Sequence, residues 1–224
     1  MKKLLAGMVR FQNEVFPRSR HIYQQLAREQ QPETLFICCS DSRVVPHDLT
    51  QTLPGELFIC RNAGNIVPAH GDVLGGVSAT VEYAVQVLKV THVIICGHSD
   101  CGAMKGLLNP ASLKDMPQVR TWLRHAAPAR LALGRAQISS PSAETLVNLT
   151  KLNVRLQLDR LSGHPKVQTQ LRAGTLELHG WYYRIDTGEV EAWQAAEDRW
   201  VAVQESRHRL SVRGTHGIQA VRHA

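Results

Sequence analysis

The sequence has few aromatic residues, no extended run of lysine and arginine, and no long hydrophobic segment. Phenylalanine, tryptophan and tyrosine make up 5% of the 224 residues. Because basic residues are not interleaved with aromatic ones, the net charge of +7 does not predict a nucleic-acid-binding surface. A positive field of this kind can instead gather small anions. No stretch approaches the roughly 18 apolar residues of a membrane-spanning helix, so we expect neither a nucleic acid nor a membrane as partner.

The N-terminal stretch also lacks the pattern of a targeting signal, and the cysteines do not form a disulfide framework. The first apolar patch is short, is interrupted by Arg10 and Glu14, and is followed by no cleavage site. The five cysteines are an odd number. In a reducing compartment such residues serve as core packing, metal ligands or catalysts. We therefore expect a cytoplasmic protein.

What is present predicts an α/β fold with a central, mostly parallel β-sheet flanked by helices. Three short apolar runs, at 34–39, 56–62 and 92–98, have the length and continuity of strands buried on both faces. A helical pattern at 75–90 connects the second run to the third, which is typical of a parallel crossover. Two later runs, at 175–185 and 190–195, predict a hairpin at the sheet edge.

The chain is predicted to be one domain over residues 1–205, with residues 1–32 forming a helical arm. Leu4, Leu5, Met8 and Phe11 follow helical spacing in this arm and give it one apolar stripe. The stripe could pack within its own subunit or on a partner subunit. Residues 206–224 are rich in arginine, histidine and glycine, and we expect them to form a flexible basic tail.

Sulfur-bearing and polar side chains follow two of the predicted strands. Cys39 ends the first strand and is followed by Asp41 and Arg43, while His98 ends the third and is followed by Cys101. The carboxyl ends of neighbouring parallel strands meet at one edge of a sheet. Two thiolates and one imidazole leave a fourth position for water, as in catalytic zinc sites, where the pKa of that water falls to about 7 in favourable cases. The sequence thus predicts Zn²⁺ on Cys39, His98 and Cys101.

The two adjacent cysteines are predicted to have different roles. Side chains alternate along an extended strand, so Cys38 points away from Cys39 and is expected to be a small core residue. Cys39 shares its direction with Asp41 and Arg43 if the chain stays extended. A guanidinium fixes a carboxylate and keeps it ionised, which suits a carboxylate that orients a nucleophile. The alternative is a structural salt bridge at the strand end.

Four motifs together resemble the β-class carbonic anhydrases, most closely the bacterial group that accompanies cyanase. They are CSDSRV at 39–44, RNAGN at 61–65, EYAV at 82–85 and GHSDCGAM at 97–104. The resemblance runs from FQNEVFP at 11–17 to HGWYY at 179–183. It implies zinc-dependent, reversible hydration of CO₂ to bicarbonate and a proton by attack of zinc-bound hydroxide, with Asp41 and Arg43 as the catalytic pair.

The resemblance also implies a substrate pocket and an assembly. Phe58 and Tyr83 would lie at the wall of a small CO₂ pocket, and Gln30 would supply an amide donor. The backbone N–H of Gly102 would help to hold a bicarbonate oxygen. In the family these pockets lie at a dimer interface and the N-terminal helices pack on the partner. We therefore expect a homo-oligomer, either a dimer or a tetramer.

Two departures from the family's patterns bear on how the site works. Phe36 stands where a bicarbonate-gated subgroup has tryptophan, so Asp41 is predicted to stay off the metal at neutral pH. Asp100 lies within the second ligand motif, where small or amide residues are frequent, and an extra anion there could raise the pKa of metal-bound water.

Other functions of the same scaffold stay open at this point. Hydrolysis of COS or CS₂ would use the same ligands and the same pair. A non-catalytic zinc-binding regulatory protein would be expected to lack a ligand or one member of the pair, and the sequence lacks neither. A thiol-redox role is disfavoured because adjacent cysteines are poorly placed for an intramolecular disulfide.

Overall fold

The computed structural model describes residues 1–72 and 75–203, so the predicted tail at 206–224 and the last two residues of the predicted domain lie outside the described residues. The α-helices of the described chain are α1 (Lys2–Arg10), α2 (Phe16–Arg18), α3 (Arg20–Leu26), α4 (Pro46–Thr50), α5 (Gly76–Tyr83), α6 (Gly102–Leu108), α7 (Pro117–Leu123), α8 (Ala127–Ala132), α9 (Arg135–Ser139), α10 (Ala143–Ser162) and α11 (Pro165–Arg172). Phe11–Val15 and Ala84–Leu88 are π-helical turns that continue α1 and α5. None of the described helices is both long enough and apolar enough to cross a bilayer.

The strands form one six-stranded sheet in the order β2-β1-β3-β4-β5-β6. Their bounds are β1 (Thr34–Cys39), β2 (Leu57–Asn62), β3 (His92–His98), β4 (Glu177–Tyr183), β5 (Val190–Gln194) and β6 (Arg199–Ala202). β1 pairs in parallel with both β2 and β3, and β3 pairs in parallel with β4. The pairs β4–β5 and β5–β6 are antiparallel. The predicted α/β fold with a mostly parallel central sheet is confirmed.

The prediction for the last strands was wrong in one respect. The expected hairpin exists as β4 and β5, but β4 lies inside the sheet, because β3 pairs with one of its edges and β5 with the other. The sheet continues to β6, a four-residue strand that the sequence did not predict. β6 has no fully buried residue, and its four residues are too few to give a clear strand pattern. It is held by its pairing to β5, where the rings of Trp193 and Trp200 lie 5.6 Å apart.

The central strands are buried on both faces, which explains their continuous apolar sequence. On one face of β1, Leu35 and Ile37 belong to a core that includes Val93 and Ile95 of β3. The other face carries Phe36 and Cys38. Cys38 is fully buried and is a core residue, as predicted, and this burial raises the pKa of its thiol to about 12.

α10 packs closely on β3 and β4 because two glycines leave room for it. A Cβ at Gly97 would lie 2.7 Å from Val154 Cγ2, and one at Gly180 would lie 2.8 Å from Leu158 Cδ1. Both distances are shorter than carbon atoms tolerate without rearrangement. Gly97 immediately precedes His98, so the approach of α10 also fixes the end of β3.

Replacing Gly97 by alanine should destabilise the protein by about 1–3 kcal/mol, because the added methyl group overpacks the contact with α10. Urea unfolding at fixed protein and zinc concentrations measures this change. Gly7→Ala is the matched control: no atom of the described residues lies within 4 Å of its added Cβ, and alanine favours a helix interior. Equal unfolding midpoints for the Gly97→Ala variant and the wild type would contradict the packing argument.

The N-terminal helices extend an apolar surface that the described chain does not cover. α1 buries none of its residues, and Leu4, Leu5 and Met8 are 54–65% exposed. The apolar stripe of α1 therefore does not pack against the described residues of its own subunit.

Candidate metal centre

The ends of two neighbouring strands bring the three predicted ligands together. β1 ends at Cys39 and β3 ends at His98. The two strands are parallel, and Cys38 lies opposite Cys96, so their carboxyl ends lie side by side. A short turn after β3 leads to Cys101, which is the N-cap residue of α6. In this turn Asp100 takes the left-handed conformation, with φ of 59°, and the chain reverses so that Cys101 faces back toward Cys39.

The three ligand atoms are buried and close together. Cys39 is 5% exposed, and His98 and Cys101 are fully buried. Their ligand atoms all lie within 4.8 Å of one another, and the two Sγ atoms are 4.0 Å apart. Two thiolates at about 2.3 Å from a tetrahedral zinc ion would be separated by roughly 3.8 Å. The sulfur geometry therefore fits such an ion closely.

His98 supports the same conclusion through its hydrogen bonds. Its Nδ1 lies 2.8 Å from the carbonyl oxygen of Ser99, which fixes the orientation of the ring and favours a proton on Nδ1. Its Nε2 is buried and has no hydrogen-bond partner among the described residues. Burying an unpaired polar nitrogen is costly, and a metal ion would satisfy it. The site residues fit a bound metal.

The charges of the two thiols also favour a bound cation. The hydrogen bond from the Cys101 thiol lowers the pKa of Cys39, and the backbone N–H of Gly64 donates to the same sulfur at 3.4 Å. The same contact and burial raise the pKa of Cys101, because a second negative charge next to the first is unfavourable. A divalent ion would balance both thiolates, whereas Cys38 one residue earlier stays a neutral thiol.

Asp41 and Arg43 form a forked ion pair beside these ligands. Arg43 Nε donates to Asp41 Oδ1 at 2.9 Å, and its Nη2 donates to Oδ2 at 2.8 Å. The backbone N–H of Arg43 also donates to Oδ1, at 3.0 Å. These bonds hold the pKa of the Asp41 carboxyl well below its usual range. Asp41 Oδ2 lies 3.9 Å from His98 Nε2, so the carboxylate borders the ligand group without belonging to it.

Asp100 has a role that the sequence did not reveal. Its carboxylate accepts a hydrogen bond from Arg43 Nη1 at 3.1 Å, and its carbonyl oxygen accepts one from Arg43 Nη2 at 3.2 Å. Lys105 pairs with the same carboxylate. Asp100 thus engages two cations and supports the guanidinium that holds Asp41. A sequence gives no direct sign of this contact, because it depends on the left-handed turn at Asp100.

Arg61, the first residue of the RNAGN motif, has a role that the sequence does not predict. Its Nε donates to the carbonyl oxygen of Cys39 at 3.1 Å, and its Nη2 donates to that of Asp41 at 2.7 Å. These bonds tie β2 to the segment that carries the first ligand and the carboxylate. The position of Asp41 is therefore fixed through both its side chain and its backbone.

The predicted substrate residues are not all near this centre. Gly102 begins α6 directly after Cys101. The rings of Phe58 and Tyr83 contact each other, with centroids 5.9 Å apart, but Phe58 pairs with Leu35, four residues before the end of β1. That is about 13 Å along the strand at roughly 3.3 Å per residue. Gln30 is exposed between α3 and β1. Within one chain, the pocket wall and the ligand group are therefore separate.

Comparison with known proteins gives one consistent result. The family model described as carbonic anhydrase matches residues 34–190. A carbonic anhydrase of Pseudomonas aeruginosa is 47% identical over 221 residues, which cover 99% of this chain and all of that protein. Carbonic anhydrase 1 of Escherichia coli O157:H7 is 45% identical over 201 residues, covering 90% and 91% of the two chains.

The solved structures that resemble this chain agree. The β-carbonic anhydrase CcaA superposes with a TM-score of 0.88 and 41% identity over 91% of this chain and 92% of its own. A Coccomyxa β-carbonic anhydrase in complex with acetazolamide has a TM-score of 0.73 and 32% identity, covering 84% and 83% of the two chains. The family model, the relatives and the folds coincide, and the chain belongs to the β-class carbonic anhydrases.

Proposed function

We propose that the chain catalyses the reversible hydration of CO₂ to bicarbonate and a proton, with Zn²⁺ held by Cys39, His98 and Cys101. The observation that carries this proposal is the group of three buried ligand atoms, including an unpartnered His98 Nε2, beside a carboxylate fixed by arginine. When bound, zinc acts as a Lewis acid that makes water nucleophilic near neutral pH, lowering its pKa from 15.7 to about 7 in favourable sites.

Asp41 is proposed to orient the nucleophile rather than to remove its proton. A carboxylate with a pKa far below its usual range is a poor proton acceptor at neutral pH. It can still accept a hydrogen bond, and a nucleophile that donates to Asp41 keeps a lone pair free for the carbon of CO₂. Arg43 keeps the carboxylate ionised and fixed in place, so orientation is established before the substrate arrives.

Gly102 is proposed to take part in binding bicarbonate. Its backbone N–H is among the first of α6, and such groups have no partner within their helix. They favour an anion at the helix start. Because Gly102 follows Cys101 directly, this donor would act on the oxygen of a product formed at the metal centre.

The CO₂ pocket is proposed to be completed across a subunit interface. Phe58 and Tyr83 are too far along the sheet to line the metal centre of their own chain, and Gln30 lies on the exposed arm. The apolar face of α1 is open in the single chain and suits a partner subunit. A chain that is 30% identical to this one, with a TM-score of 0.71, comes from a study of two tetrameric β-carbonic anhydrases of Sordaria macrospora. A homodimer or homotetramer therefore fits this chain.

The direct test is stopped-flow CO₂ hydration by the zinc-loaded protein at about pH 7 and about pH 8.5, at and above the usual pKa of zinc-bound water. We expect fast hydration at both pH values with one zinc ion per chain. Activity restricted to the higher pH would indicate either a gated site, with Asp41 on the metal, or a metal-bound water whose pKa is raised. One zinc ion per chain without CO₂ hydration would contradict the proposed function, and assays with COS and CS₂ would then identify the substrate.

A further inference from the structure

A second group of metal-binding side chains lies at the other end of β3. His92 begins β3 and Glu177 begins β4, and the two residues are paired in the sheet. His179 follows Glu177 by two positions, so both side chains point to the same face. His98 is six residues further along β3, about 20 Å away at roughly 3.3 Å per residue. This group is therefore separate from the catalytic centre.

The ligand atoms of the three side chains converge on one point. His92 Nδ1 lies 3.2 Å from His179 Nε2. Glu177 Oε2 lies 3.9 Å from His92 Nδ1 and 3.8 Å from His179 Nε2. Ligands at 2.0–2.2 Å from one metal ion are separated by roughly 3.0–3.5 Å in tetrahedral or octahedral sites. If Glu177 Oε2 moved a few tenths of an ångström closer to the two imidazole nitrogens, all three distances would match those between ligands of one metal ion.

The side chains of this group are accessible to solvent, and their backbone is held in place by the sheet. The side chains of His92, His179 and Glu177 are 41%, 35% and 68% exposed, which leaves an entry path and room for water ligands. Their backbones are fixed by the β3–β4 ladder and by the bond from the Glu177 N–H to the Thr91 carbonyl oxygen, 2.9 Å long. Only the exposed glutamate must change rotamer to tighten the site.

We propose that His92, Glu177 and His179 form a second binding site for a divalent transition-metal ion, which joins the starts of β3 and β4. Two imidazoles and a carboxylate, with water in the remaining positions, suit ions such as Zn²⁺, Ni²⁺ and Co²⁺ and disfavour Mg²⁺ and Ca²⁺. A cross-link between two central strands that forms only in the folded chain stabilises the fold by mass action. The site is independent of CO₂ hydration.

The test is calorimetric titration of the zinc-loaded protein with Ni²⁺, while a chelating dye reports any zinc released from the catalytic centre. We expect one further ion per chain without zinc release, and a rise in the melting temperature with added Ni²⁺. The single variants His92→Gln and His179→Gln should lose this binding and the rise. Glu177→Gln should weaken binding about tenfold or more, the lower end of what losing a supporting group costs a metal site.

Three controls make the result decisive. His21→Gln removes another exposed histidine, in α3, and should bind Ni²⁺ like the wild type. The variants at His92, Glu177, His179 and His21 should keep the wild-type rate of CO₂ hydration, which shows that they fold. Cys39→Ser removes a catalytic ligand and should still bind Ni²⁺ at the second site. Histidines 208, 216 and 223 can also hold Ni²⁺, so the variants decide rather than the stoichiometry alone.

Either of two results would overturn the proposal. One is a wild-type protein that takes up no further ion. The other is a double variant, with His92 and His179 both replaced by glutamine, that takes up Ni²⁺ with the same stoichiometry and affinity as the wild type.

Discussion

Replacing Asp41 by asparagine should lower kcat for CO₂ hydration by about 10²-fold or more, the scale of losing orientation at a reacting centre, while zinc stays bound. Such a loss corresponds to about 2.7 kcal/mol of activation free energy. Asparagine has nearly the same shape, but it carries no charge for Arg43 and offers one acceptor oxygen instead of two. Because the lost interaction serves the transition state, kcat and kcat/KM should fall together.

The measurement is stopped-flow hydration with zinc determined on the same sample. Asp48→Asn is the matched control. Asp48 carries a carboxylate in α4, but it is neither one of the three ligands nor part of the Asp41–Arg43 ion pair. It should leave both zinc content and kcat unchanged. Full activity in the Asp41→Asn variant would show that the Asp41–Arg43 pair is only a structural salt bridge.

Replacing Cys39 by serine should abolish both zinc binding and CO₂ hydration. Serine offers a neutral hydroxyl in place of a thiolate that is easily formed, as the low pKa of Cys39 indicates. Two ligands would remain, and the buried Nε2 of His98 would lose the cation that balances its desolvation. Zinc content after dialysis against a chelator, followed by the hydration assay, measures the effect.

Cys38→Ala is the control, because it changes the adjacent cysteine and nothing at the metal centre. Its thiol faces the core with Phe36 and Cys96, so we expect a modest loss of stability from the small cavity, with zinc and activity retained. If both variants kept their zinc, the assignment of Cys39 as a ligand would be wrong.

The sequence predicted the ligand cluster well because few physical factors decide it. The first and third apolar runs became the neighbouring strands β1 and β3, and parallel pairing brought their carboxyl ends together. Alternation along an extended strand then separated Cys39 from Cys38. These inferences depend only on strand direction and side-chain period, which a sequence pattern shows directly.

The features that were missed depend on contacts between distant segments. The support of Arg43 by Asp100 requires a left-handed turn at a non-glycine residue, which a sequence rarely signals. The group of His92, Glu177 and His179 exists only because β4 joins the sheet next to β3 in a particular register. β6 is too short and too exposed to give a periodic pattern. In each case tertiary pairing, not local preference, determined the outcome.

The hydrogen bonds of Arg43 bear on the order in which the enzyme is assembled. One guanidinium bonds Asp41 after β1 and Asp100 after β3, so it ties together the two segments that carry the ligands. Cys39 and Cys101 are themselves packed in a buried apolar cluster with Ile66 and Met104, and His98 is fully buried at the end of β3. The three ligand residues can thus be in position before the ion binds. Zinc fingers differ, because they fold only around their metal. We therefore expect the ion to bind after folding, to a metal-free chain that is already folded.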